Sequence, residues 1–268
     1  MKTRNILFFF VIVCTLAGTV IAQKVFDKPF QKWSRDDAQK ILSESPWIRT
    51  YQSAEGTAAI DKEAILKEQD NVRMNQGQGP GPRATDARAQ ATNLAVPIIL
   101  VRLHSGLVVR EAYVRLRQIT ANYDKMDDDK RAAFDASVKD LLDCPYCKNY
   151  YIVTMSKSIN GSHETVDDGL FQTITPQQMK GNVWIVNDKG VRSPVAQFIP
   201  PKGGADQAVF FFPRKDSQGN ELISAQSKSF KIEFSGEFFT SSNPYYKIIP
   251  HSFEFEVKQL LRGSDVIF

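Results

Sequence analysis

Three apolar rhythms divide the chain. Ile6 to Cys14 is an unbroken apolar run near the start. In the stretches after Ser34, Ser105 and Asp127 apolar residues recur at three- and four-residue steps, and from Lys148 onward they alternate or gather in short runs. The second rhythm is that of helices, the third that of strands. Ser34 is placed to cap the first helix, with Asp37 approximating a capping box. Ala38, Ile41 and Leu42 form its apolar face and Pro46 ends it. Trp47 to Tyr51 reads as a short strand, and Trp33 and Trp47 as clamps holding the helix to the body. Val96 to Leu103 is an apolar strand interrupted by Arg102. Ser105 is expected to cap a helix from Leu107 to about Tyr123, with Val109, Ala112, Leu116, Ile119 and Tyr123 inward. Asp127 to Asp129 suit the positive start of another helix, running to Leu142 with Phe134, Val138, Leu141 and Leu142 inward.

The β signal begins at Tyr150 to Met155, which is β-branched and aromatic. Val183 to Val186 and Val191 flank Asn187-Asp188-Lys189-Gly190, a hairpin loop whose glycine supplies a left-handed position. Ala208 to Phe212 is fully apolar and ends at Pro213. Phe230 to Phe234 and Phe253 to Val257 alternate aromatic or aliphatic with charged residues, as antiparallel strands with one wet face do. The fold class is therefore α+β, with N-terminal helices followed by an antiparallel, sandwich-like β region. About 68 to 93 breaks this order: Gly, Pro and Gln dominate, and the stretch reads as a flexible loop.

The first rhythm changes the picture of where the chain works. Lys2 and Arg4 precede the apolar run, and Val20-Ile21-Ala22 follows it as a cleavage signal. Residues 1–22 read as a secretory signal peptide, the run being short for a membrane span. An uncleaved anchor is the other reading of the same run. Lipid attachment at Cys14 would need a small residue before it, and Val13 stands there. The mature chain would start at Gln23, have 246 of the 268 residues, and lose two positive charges, falling from +4 to +2. That balance gives no electrostatic case for nucleic acid, and no second long apolar run suggests a membrane span. The organisation expected is 1–22 signal peptide, 23–67 helix and strand, 68–93 loop and 94–268 α+β domain, in a secreted or periplasmic protein.

Two cysteines remain, Cys144 and Cys147, in Cys144-Pro145-Tyr146-Cys147. The string resembles the C-P-Y-C of glutaredoxins in four residues only. There it opens a helix, whose positive end favours a thiolate. Here it follows a helix, beside Asp143, so the expected state is a local disulfide bracing a helix-to-strand turn. Zinc would need further ligands, and no second cysteine pair supplies them. The histidines are His104, His163 and His251. His104 and Ser105 are adjacent at a strand end and so face apart, poorly placed as base and nucleophile. Asn160-Gly161-Ser162 is formally a glycosylation sequon, Asp167-Asp168 a solvated turn, and Arg110, Arg115 and Arg117 a solvated basic helix face. No hydrolase, zinc-protease or nucleotide-binding motif is present, and no cofactor is expected.

Three strings together resemble a family of uncharacterised exported bacterial proteins: Trp33-Ser34 through Ala38, Ile41-Leu42 and Ser45-Pro46-Trp47; Ser105-Gly106-Leu107-Val108-Val109-Arg110-Glu111-Ala112; and Phe212-Pro213-Arg214 followed by Gly219. The resemblance implies an envelope or secreted location and transfers no functional residue. The function expected is non-catalytic binding of an unknown protein or surface partner, or a structural role. The alternatives are a thiol-disulfide oxidoreductase using Cys144 and Cys147, or an unrecognised hydrolase.

Overall fold

A computed structural model describes residues 28–52, 98–158, 171, 174–202, 207–236, 251–262 and 265–266. The expected signal peptide, the loop at 68–93, Asn160, His163 and Asp167-Asp168 lie outside the described residues. The chain is α+β, as its periodicities predict. Helix α1 (Arg35–Glu44) and strands β1 (Ile48–Gln52) and β2 (Ile98–Leu103) are followed by helices α2 (Leu107–Thr120) and α3 (Asp128–Asp143). Then come β3 (Tyr150–Ser158), a short helix α4 (Pro176–Met179), β4 (Val183–Asn187), β5 (Arg192–Pro194) and β6 (Gln197–Ile199). The chain closes with β7 (Ala208–Pro213), β8 (Ser229–Phe234), β9 (Ser252–Glu256), β10 (Leu261–Arg262) and β11 (Asp265–Val266). One sheet has the order β1-β2-β3-β7-β6 and a second β5-β4-β8-β9, with every pairing antiparallel. Neither is closed.

The core lies between the two sheets because both supply one apolar face to it. Val101, Val153, Met155, Phe210 and Phe212 come from the first; Ile185, Phe230, Ile232 and Phe255 come from the second. Phe210 meets Phe234 across the gap edge-on, centroids 6.1 Å apart. The second sheet shows the predicted wet face, since β8 and β9 alternate buried with less buried positions. The first sheet differs: its outward residues Leu100, Arg102, Thr154 and Ser156 are buried as well. Arg102 donates from Nε to the Leu42 carbonyl near the end of α1, 2.9 Å away, and from Nη1 to the Ser156 hydroxyl at 3.1 Å. At the open edge Arg49 of β1 lies 4.6 Å from the centre of the Phe255 ring and donates to the Glu254 carbonyl of β9. That contact blunts an edge strand that would otherwise offer free backbone groups.

The capping box at Ser34 and Asp37 forms as read, each backbone amide bound by the other's side chain. Asp127 caps α3 by accepting from the Lys130 amide. The hairpin loop turns at Gly190, whose φ is +80°. Trp33 and Trp47 are buried, and Gly106 lets the body close on Trp47: a Cβ there would lie 2.6 Å from Trp47 Cδ1. We therefore expect Gly106→Ala to lower stability by roughly 1–3 kcal/mol, through a forced shift in a packed core. Chemical denaturation of the variant beside the parent measures it.

At several element ends and faces the structure departs from the sequence expectation. Ser105 does not cap α2; Gly106 occupies that position, and the Ser105 hydroxyl is taken instead by the Ile152 backbone, whose amide donates to it over 3.1 Å. That helix ends at Thr120, because Asn122 turns left-handed and Tyr123 opens a separate 3-10 turn. Val257 leaves the sheet and begins a 3-10 turn after β9. In α3 only Val138 of the four expected inward residues is buried.

Candidate functional site

The Cys144-Pro145-Tyr146-Cys147 turn sits where α3 hands the chain to β3. The two cysteines are disulfide-bonded, their Cα atoms 5.3 Å apart. Cys144 terminates α3 in the left-handed region, φ +42°, with its amide bound to the Asp140 carbonyl at 3.0 Å. Pro145 then starts a single 3-10 turn through Lys148. Cys144 is buried against Ile152 and Phe211 on the outward face of the first sheet, while Cys147 is half-buried beside it. Tyr146 points away at 64% exposure, the most exposed large apolar side chain among the described residues, with its ring edge toward Phe211.

Two arginines bracket this turn. Arg110, in the first turn of α2, donates from Nη1 to the Leu141 and Leu142 carbonyls and from Nη2 to the Ser105 carbonyl at 3.3 Å. Arg214, just past β7, donates from Nε to the Cys147 carbonyl at 2.6 Å, and its guanidinium lies 4.4 Å from the Tyr151 ring centre. Burial lowers the pKa of both guanidiniums; Glu111, and less strongly Asp143, oppose that for Arg110, and Tyr151 opposes it for Arg214. The negative end of α3 is thus met by positive charge, the favourable arrangement for a helix C-terminus. Asp143 itself pairs with Lys139. The basic face expected to be solvated is largely not. Arg110 is 7% exposed, and Arg115 donates to the Trp33 carbonyl at 2.7 Å; Arg117 alone of the three stays exposed.

His104 lies one short step away, at the end of β2. Its ring packs against Tyr113, centroids 5.7 Å apart, and its Nδ1 is buried without a hydrogen-bond partner. Burial, then the positive charges of Arg110 and Arg102, bring its pKa down to about 4. A base for hydrolysis would instead have a carboxylate to orient it and a hydroxyl to deprotonate. No carboxylate is among the groups that shift the His104 pKa, and the Ser105 hydroxyl is committed to the Ile152 backbone. His251 is exposed, its ring lying against Gly236. Among the described residues no group of three or more His, Cys, Asp or Glu could hold a metal, and no helix is long and apolar enough to cross a membrane.

What the sequence missed is the convergence. The strings around Ser105 to Arg110 and Phe212 to Arg214 both end on the disulfide turn, and nothing in their spacing points to it. The left-handed Cys144 has a testable consequence, because that conformation strains any residue with a Cβ. With the bridge removed, Cys144→Gly/Cys147→Ser should be more stable than Cys144→Ala/Cys147→Ser by about 1 kcal/mol. Equal midpoints in urea would show that the turn relaxes once the bridge is gone. Comparison of the whole chain with known proteins finds no matching family model, no matching characterised sequence and no matching solved structure.

Proposed function

We propose that this chain is an exported, non-catalytic protein, acting outside the cytoplasm as a binding or structural component of the cell envelope or secretome. The observation that carries the reading is how the cysteine pair is built in. One cysteine is buried, the bridge closes a helix end, and Arg110 and Arg214 tie the surrounding carbonyls. A bridge of this kind braces a turn and persists where the compartment is oxidising. The signal-like opening supports export, and the lack of a convergent acid-base set at His104 supports a non-catalytic role.

The other reading, a thiol-disulfide oxidoreductase, draws on two features. Cys147 is half-exposed, and the two arginines bring positive charge to the helix end. The experiment that separates them starts with protein recovered from the exported fraction. N-terminal sequencing should read Gln23, and a retained Met1 would remove the case for cleavage. Pulldown from the envelope fraction should then recover the same partner with the parent and with Cys144→Ser/Cys147→Ser. A partner held only by the parent, and released by reductant, would favour the oxidoreductase.

A further inference from the structure

Helix α3 is attached to the body mainly at one end. Val138 is the only buried residue among its sixteen. Phe134, Leu141 and Leu142 are only half-buried, so the apolar face it packs is thin, and helices in proteins draw most of their stability from such a face. At its start the helix is tied to Tyr123, whose ring meets Phe134 and whose hydroxyl donates to Asp135 at 2.9 Å. Tyr123 belongs to the turn just before α3, so this tie is local. At its end Arg110 grips the last carbonyls, and the Cys144–Cys147 bridge locks the turn into β3 with Cys144 lying on Ile152 and Phe211.

We propose that this disulfide is a redox latch: it holds the end of α3 against the Ile152–Phe211 patch, and its reduction frees the helix and uncovers that patch. The reductant is an external dithiol. Its thiolate attacks Sγ of Cys147, the more exposed of the two cysteines, and the electron pair of the broken S–S bond leaves on Sγ of Cys144, which takes a proton. The reductant's second thiolate then displaces Sγ of Cys147, which is protonated in turn. The reductant ends as a disulfide, and two electrons and two protons have passed to the chain. With the bridge broken, the turn is no longer closed between the end of α3 and β3, and the helix end opens. A latch of this kind opens once per reduction and needs no turnover, so it stands whether or not the protein is catalytic.

Hydrogen exchange of the full chain, oxidised and after dithiothreitol, tests the latch. Amides from 130 to 147 should exchange at least tenfold faster after reduction, while those of β3, β7 and β8 keep their protection. Cys144→Ser/Cys147→Ser should match the reduced protein with or without reductant. Unchanged exchange in α3 would overturn the proposal. So would protection lost equally through β8, or a double variant that fails to fold, because either would make the bridge a support of the whole core.

Discussion

Acidification from pH 6.5 to pH 4 should remove about 3 kcal/mol of stability through His104 alone. The histidine is held at a pKa of about 4 against an ordinary 6.5. Above pH 6.5 it is neutral whether the chain is folded or not, and its contribution is flat. Below 6.5 the unfolded chain takes a proton that the folded chain refuses, so stability falls by ~1.4 kcal/mol per pH unit. Near pH 4 the folded protein protonates too and the loss stops. The refusal is physical: the ring is largely buried beside Tyr113, faces the guanidiniums of Arg110 and Arg102, and has no partner at Nδ1. Asp37, Asp127 and Asp216 act in a separate window. Hydrogen bonds, chiefly from backbone amides for Asp37 and Asp216 and from Lys130 for Asp127, hold their carboxyls below the usual value of 3.8. Their stabilisation is present above that value and fades as pH falls further. Urea unfolding of His104→Phe between pH 7.5 and 4 should lack the histidine slope, and a slope equal to the parent's would refute this assignment.

Arg110→Ala should destabilise the protein by about 3 kcal/mol, and Arg117→Ala by less than ~0.5 kcal/mol. Both arginines lie on α2, and the sequence gives no reason to separate them. Arg110 is buried and bonds three carbonyls, two at the end of α3 and one in the turn before α2, so its removal strips charged hydrogen bonds and leaves acceptors unpaired. Arg117 is exposed, and surface substitutions seldom move stability by more than a few tenths. Similar midpoints for the two variants would mean that water replaces the Arg110 bonds at little loss.

The same pair shows what a sequence of this kind can and cannot reveal. The capping box at Ser34 and the alternation in Phe230 to Phe234 were legible because their partners lie within three residues or on the same strand. Arg110 was not, since the carbonyls that receive it lie 31 and 32 residues away, and a charged side chain on a helix reads by default as solvated. Ser105 failed similarly: a backbone amide 47 residues distant captured the hydroxyl that would have capped the helix. The helical spacing of Phe134, Leu141 and Leu142 announced an apolar face, yet those residues are only half-buried, because periodicity says which side is apolar and not how much covers it. The cysteine pair itself was readable, two thiols three residues apart after a helix, and it is bridged. Its arginine brackets were not.

Whether the cysteine pair is a brace or a catalyst is settled most directly by insulin reduction with dithiothreitol, comparing the parent with Cys144→Ser/Cys147→Ser. A brace at the end of α3 predicts that neither protein speeds insulin precipitation above the uncatalysed rate, while the parent unfolds at a higher urea concentration than the double variant. Turnover by the parent that disappears in the double variant would contradict that reading and make this chain an oxidoreductase.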